Sequence, residues 1–169
     1  MIISEMIKDS GALKVGSFTL SSGKKSSYYV DKYLFETSPG ILKKISEEMI
    51  FRIEREFDII AGPEMGAIPL ITALSLKTEK PFLIVRKKDK DYGTKSKIEG
   101  NLKEGDKVLF VEDVTTTGES LLKAIRTVEE VGGVITEVLI VVDREEGAVE
   151  RMKKLGYDVN VLLRMRELI

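Results

Sequence analysis

The chain has no cysteine, no histidine and no tryptophan, and only four prolines. Without cysteine there is no disulfide, no thiolate nucleophile and no sulfur ligand; without histidine there is no imidazole base and no His-built zinc site. A metal used by such a chain must be a hard, oxygen-liganded cation such as Mg²⁺. An excess of one charge is also missing. The 27 Lys plus Arg stand against 28 Asp plus Glu, a net charge of -1 with a pI near 5.8, which argues against generic nucleic-acid binding. Long apolar runs are absent too: the longest uncharged stretch, residues 65–76, holds 12 residues and a proline, too short to span a bilayer. The first ten residues carry Glu5 and Asp9, where a secretory signal would be basic and then apolar. The expectation is a soluble, cytoplasmic protein with no nucleic-acid or membrane partner.

What is present organises itself as one domain over residues 1–169, long enough to bury roughly 70% of its unfolded surface. Across residues 41–57 the apolar positions Leu42, Ile45, Met49, Ile53 and Phe57 recur at helical spacing, with Ser38 and Pro39 as a start signal. Short runs that are apolar throughout follow at 58–61, 81–85, 108–111 and 138–142, the pattern of strands covered on both faces. Helical periodicity fills the gaps at 66–77, 118–131 and 145–155. Strand and helix in alternation predict an α/β fold with a central parallel sheet flanked by helices. Residues 1–36 differ: the stretches 17–24 and 26–31 read as a hairpin-like pair around Gly23, a hood appended to the sheet.

The densest chemical signal is Val108-Leu-Phe-Val-Glu-Asp-Val-Thr-Thr-Thr-Gly-Glu-Ser120, where an apolar strand runs into two carboxylates, then hydroxyls, a glycine and a helix. Ligands of parallel sheets sit outside the carboxyl ends of the strands, so Glu112 and Asp113 stand where a substrate binds. From Thr115 through Thr116, Thr117, Gly118 and Glu119 to Ser120, the turn offers backbone N–H groups, hydroxyls and a helix dipole to a phosphate. No GxxxxGK[ST] or GxGxxG is present. Acids beside a phosphate cradle suit a ribose 5-phosphate, whose ring hydroxyls donate to carboxylates. The plainer reading is that the acids end a strand and a threonine caps a helix; six polar residues and a glycine in one turn weigh against it.

Val111-Glu-Asp-Val-Thr-Thr-Thr-Gly-Glu-Ser120 resembles the phosphoribosyl pyrophosphate (PRPP) motif of the type I phosphoribosyltransferases. Further stretches resemble the orotate phosphoribosyltransferases among them: Gly16-Ser-Phe-Thr-Leu-Ser-Ser-Gly-Lys-Lys-Ser-Ser-Tyr-Tyr-Val-Asp31, Gly62-Pro-Glu-Met-Gly-Ala-Ile-Pro-Leu70, Arg86-Lys-Lys-Asp-Lys-Asp-Tyr-Gly93 and Val142-Asp-Arg144. The resemblance implies the type I fold and transfer of phosphoribosyl from PRPP to orotate, with Mg²⁺ carried by PRPP rather than by protein ligands. It implies PRPP contacts for Arg86, Lys87, Lys90 and Tyr92 and for the loop Glu112, Asp113, Val114, Thr115, Thr116, Thr117, Gly118, Glu119 and Ser120, with Lys90 and Asp113 as catalytic residues. Thr116 and Arg144 would contact orotate, and Tyr28 and Tyr29 would form the hood over the base.

The basic stretch is legible without any resemblance. Residues 86–97 hold six cations and two acids, inside a connection of about 20 residues without clear periodicity, long enough to be a functional lid. Positioned cations suit the charge that develops on departing pyrophosphate. The resemblance makes residues 86–100 a flexible loop that reaches the neighbouring subunit's site in a homodimer. Three positions depart from the pattern many relatives show: Tyr92 stands for a His, and Ser21 and Gly66 each for a Lys; Lys24, Lys25 and Lys87 are candidates to replace the missing cations. Two rival functions share the PRPP motif, a purine phosphoribosyltransferase and a non-catalytic PRPP-sensing regulator.

Overall fold

Uninterrupted apolar runs of strand length need cover on both faces, and the fold supplies it. The structure, a computed structural model, describes residues 2–19, 23–87 and 97–169. In chain order its elements are α1 Ile3–Asp9, β1 Leu13–Thr19, β2 Lys25–Val30, α2 Tyr33–Glu36, α3 Pro39–Arg52, β3 Ile59–Pro63, α4 Ala67–Thr78, β4 Phe82–Val85, β5 Ile98–Glu99, β6 Lys107–Thr115, α5 Glu119–Glu129, β7 Val134–Asp143, α6 Ala148–Lys154 and β8 Val159–Arg164. The main sheet has the order β5-β4-β3-β6-β7-β8. Its neighbours pair in parallel except β5, which lies antiparallel to β4 at one edge. Strands β1 and β2 form a separate antiparallel pair, the expected hood hairpin.

Alternation along each strand divides the core in two. In β6, Leu109 and Val111 pack with Ile45 and Met49 of α3 and Leu70, Ile71 and Leu74 of α4. Val108 and Phe110 turn the other way, onto Ile125 and Val128 of α5 and Met152 of α6. Gly62 lets α4 approach β3: a Cβ there would lie 2.6 Å from the Ala67 Cβ. The sheet order reverses between β3 and β6, because β3 leads through α4 to β4 on one side while β6 leads through α5 to β7 on the other. The loops leaving these two strands diverge and open a crevice at their carboxyl ends.

Several elements differ from the sequence expectation. The helix expected over 41–57 ends at Arg52, although Ile53 and Phe57 still pack against the core. Its end is fixed from across the sheet: the Asn160 amide donates to the Arg52 carbonyl at 3.0 Å, and the N–H groups of Glu54 and Arg55 donate to Glu137 Oε2 at 3.0 and 3.1 Å. Periodicity reported burial there, while tertiary hydrogen bonds set the helix end. The stretch from 86 to 107 is not wholly irregular, since Ile98 and Glu99 form β5. Helices α1 and α2 and strand β8 had not been anticipated.

Glu137 is 1% exposed, and its second oxygen accepts from Asn160 Nδ2 at 2.6 Å. Glu137→Ala therefore strands three donors, and urea unfolding should show a loss of about 2 kcal/mol or more.

Candidate active site

The crevice at the sheet's reversal point is a cavity of about 610 Å³. Pro63, Glu64 and Gly66 line it from the end of β3, Arg86 and Lys87 from the end of β4, residues 112–120 from β6 and its turn, and Arg144 from the end of β7. The hood adds Thr19, Tyr29 and Lys32. Of the candidate residues that the structure describes, Arg86, Lys87, Glu112, Asp113, Val114, Thr115, Thr116, Thr117, Gly118, Glu119, Ser120, Arg144 and Tyr29 border this one cavity, whereas Tyr28, Lys24 and Lys25 do not. Lys90 and Tyr92, like Ser21, lie outside the described residues.

The turn after β6 is held from behind. The carbonyls of Thr115 and Thr116 accept from the N–H groups of Arg144 at 3.0 Å and Ala148 at 3.2 Å, and that of Thr117 accepts from Arg151 Nη1 at 3.3 Å. With its carbonyls occupied by the segment after β7, the turn keeps its hydroxyls and the start of α5 at the cavity. Gly118 is needed at the join for two reasons. Its φ is +78°, and a Cβ would come within 3.1 Å of Ala148. The positive end of the α5 dipole completes an anion seat.

Two adjacent carboxylates lie beside that seat, both buried but with different partners. Glu112 is 8% and Asp113 3% exposed. Burial first, then the negative charge of Asp113, pushes the Glu112 carboxyl well above its ordinary range, favouring its protonated form. Asp113 instead has a cation: the Lys32 ammonium, arriving from the hood, ion-pairs with Asp113 Oδ2. Burial works to lower the Lys32 pKa, but the charge and hydrogen bond of Asp113 outweigh it and the net shift is upward. An acid whose protonated form is favoured beside one paired with an ammonium is an arrangement in which a pair can accept two ribose hydroxyls with little self-repulsion.

The cations at the opposite wall are partly committed. Arg86 Nη1 lies 3.4 Å from Glu99 Oε1, while its Nε is buried with no acceptor among the described residues. The Lys87 N–H donates to Glu64 Oε1 at 2.7 Å, tying the ends of β3 and β4 together. Arg144 is 7% exposed. Its Nη2 donates to Ser26 Oγ at 3.2 Å, its Nε to Glu146 Oε1 at 3.2 Å, and its guanidinium sits 5.4 Å from the Tyr28 ring centre. The strand alternation separates the two hood tyrosines: Tyr29 lines the main cavity, while Tyr28 meets Arg144 in a smaller adjoining pocket.

Sequence reasoning missed Lys32 and Glu36. Lys32 follows directly on the Tyr-Tyr-Val-Asp stretch, and only its reach to Asp113, 81 positions away, marks it out.

The phosphoribosyl transferase domain family matches residues 34–163. The chain belongs to the phosphoribosyltransferases. It is 50% identical to the orotate phosphoribosyltransferase of Methanocaldococcus jannaschii over 163 residues, which is 96% of this chain and 93% of the relative. Identity to the orotate phosphoribosyltransferase of Pyrococcus furiosus is 49%, across 96% of this chain and 91% of that one. Among solved structures, the Mycobacterium tuberculosis orotate phosphoribosyltransferase in complex with PRPP superposes with a TM-score of 0.80 at 31% identity, covering 98% of this chain and 96% of that one.

In this phosphoribosyltransferase Gly66 is where the two sides of the crevice meet, since a Cβ built there would fall on the Asp113 carboxylate and within 2.5 Å of Lys32 Nζ. Gly66→Ala should therefore break the buried ion pair at a cost of about 1–3 kcal/mol by urea unfolding. Gly40→Ala, in α3 with nothing within 4 Å of the added methyl, should be neutral or stabilising.

Proposed function

We infer that the chain is an orotate phosphoribosyltransferase, moving the 5-phosphoribosyl group from PRPP to orotate with release of orotidine 5'-monophosphate and pyrophosphate, a step of pyrimidine nucleotide synthesis. The observation that carries this reading is the convergence of the acid pair, the Thr/Gly turn, Arg86, Lys87 and Arg144 on one crevice. The names of the curated relatives point the same way.

In this reading the turn from Thr115 to Ser120 takes the 5-phosphate on its amides and hydroxyls. Glu112 and Asp113 take the ribose hydroxyls. As the bond from C1 to the pyrophosphate oxygen lengthens, C1 gains cationic character, which a carboxylate at the ribose, Asp113, would stabilise. Arg86, Lys87, Lys90 and Tyr92 gather on the leaving pyrophosphate, where the basic stretch excludes water and offsets the growing negative charge. Orotate lies under the hood, its carboxylate forked by Arg144 and its ring edge met by Thr116. The ring nitrogen then closes on C1 and gives up its proton to solvent or to the departing pyrophosphate, so no strong general base of the protein is assigned.

Magnesium enters as a counter-ion of PRPP. Among the described residues no group of three or more carboxylates is placed to hold an ion alone, so most ligands would come from the pyrophosphate oxygens. When bound, the ion neutralises pyrophosphate charge. The working unit in this reading is a homodimer in which residues 86–100 serve the neighbouring site, and the compartment is the cytoplasm. Among the described residues no helix is long and apolar enough to cross a membrane.

An assay following orotate absorbance should show consumption only with both PRPP and Mg²⁺ present; consumption of a purine base instead would assign a different acceptor. Asp113→Asn should weaken PRPP binding about tenfold or more by calorimetry, the scale of one charge-assisted hydrogen-bond pair. Lys90→Ala should lower kcat by about 100-fold or more while leaving orotate affinity within a few-fold, the mark of a group that acts in the transition state. Equal losses in both would remove Lys90 from the leaving-group role.

A further inference from the structure

Two residues of the four-residue helix α2 converge on Asp113 from outside the loop motif. Lys32 caps the turn and Glu36 ends it, and the Glu36 N–H donates to the Lys32 carbonyl at 2.9 Å. Spacing of four places both side chains on one face. The neighbouring Phe35 is fully buried and anchors the turn in the core. Lys32 supplies the cation of Asp113. Glu36 is 1% exposed, and neither of its carboxyl oxygens finds a donor among the described residues.

A buried carboxylate without donors is costly enough that the group takes up a proton instead. Once protonated, Glu36 has an O–H to give, and the Asp113 carboxylate is the acceptor within its reach. The accounting of polar atoms then closes. Asp113 accepts from Lys32 and from its own following amide of Val114, and a protonated Glu36 supplies a third donor.

We propose that α2 is the positioning element of the donor site: Lys32 and a neutral Glu36 together fix the Asp113 carboxylate for the ribose hydroxyls, and loss of the Glu36 proton releases it. The proposal rests on the reading of Asp113 as a PRPP contact. Burial first, and the charge of Asp113 second, push the Glu36 pKa up to about 8, with Lys32 opposing them. The charged groups that act on Glu36 are thus Asp113 from β6 and Lys32 from its own turn; α3, which packs on α2, adds none. Above that pH, Glu36 and Asp113 share one ammonium, and Asp113 loses both a donor and its fixed orientation.

The sign for stability follows from the raised pKa. The folded state holds a proton that the unfolded state releases near the ordinary glutamate value, so this contribution is complete below about 4.5 and is lost as pH rises through about 8.

The test is PRPP affinity by calorimetry in Mg²⁺ from pH 7 to 9.5, on the wild-type chain and on Glu36→Gln, Glu36→Ala and Lys32→Met. Wild-type affinity should fall about tenfold across pH 8 relative to Glu36→Gln, a variant that keeps a hydrogen-bond donor but cannot ionise. Titration of PRPP itself is common to both proteins and cancels in that ratio. At pH 7 Glu36→Ala should bind PRPP more weakly than Glu36→Gln, and Lys32→Met should lose about tenfold or more. Thermal unfolding of the wild type should decline from pH 6 to 9 more steeply than that of Glu36→Gln. A wild type whose affinity is flat from pH 7 to 9 overturns the proposal even if no variant folds. So does a Glu36→Gln profile that keeps the same step, or a folded Lys32→Met that binds PRPP as tightly as the wild type. A wild type that binds no PRPP at pH 7 overturns the parent reading of the site and the role of α2 with it.

Discussion

Two carboxylates on neighbouring residues at the end of a buried strand cannot both be charged without a cation, and the site is built around that constraint. Strand β6 places Glu112 and Asp113 where four layers of neighbours desolvate them: α4 and α5 on the faces, β3 and β7 on the flanks. The fold resolves the conflict asymmetrically. Burial favours the protonated form of Glu112, and Asp113 is paired with the Lys32 ammonium that the hood delivers. The β1–β2 pair and α2 are therefore more than a cover. Through Lys32 they supply the counter-charge of the acid pair at the crevice.

The same logic of delivery from distant segments runs through the rest of the site. No single stretch of chain contains both a phosphate seat and its counter-charges. The reversal of sheet order between β3 and β6 is what lets the ends of β3, β4, β6 and β7 face one volume. The hydrogen bonds from Arg144 and Ala148 to the Thr115 and Thr116 carbonyls tie the segment after β7 to the turn after β6. Arg144 is thereby held beside the phosphate turn by its backbone and under the hood by its side chain, through Ser26 and Tyr28. A guanidinium restrained in this way is a rigid fork for a planar carboxylate, with little conformational entropy left to lose on binding.

The legible parts were those with a local cause. The continuous apolar runs marked β3, β4, β6 and β7, because burial on both faces leaves no polar position in a strand. The Glu-Asp-Val-Thr-Thr-Thr-Gly turn marked a wall of the crevice, because hydroxyls, glycine and a helix start are consecutive in the chain. The illegible parts had causes far away in sequence. Helix α3 stops at Arg52 because Glu137 and Asn160 capture its end, and nothing in residues 41–57 announces that. Strand β8 is half-buried at the sheet edge, and its Val-Asn-Val start lacks the uninterrupted apolar signature. Lys32 and Glu36 look like ordinary solvated charges until Asp113 is brought to them.

The departure at Gly66 is the case where sequence pattern and structure together say most. The family pattern leads one to expect a lysine at this position, and its absence looks at first like a lost cation. In space, however, the volume that the first carbon of any side chain would fill is already occupied by the Asp113 carboxylate and the ammonium of Lys32. Of the three lysines that sequence alone offered as replacements, Lys24 pairs with Glu146 at 3.8 Å, Lys25 lines the smaller pocket, and only Lys87 borders the crevice. The cation at the acid pair comes instead from α2, and it comes with a geometric condition. Lys32 reaches Asp113 only if residue 66 has no side chain, so the glycine and the lysine are one feature written at two places in the chain. A lysine at 66 and this Lys32–Asp113 pair exclude each other sterically. In this chain the cation beside the acid pair comes from the hood and not from the turn after β3, which makes the hood a structural part of the crevice.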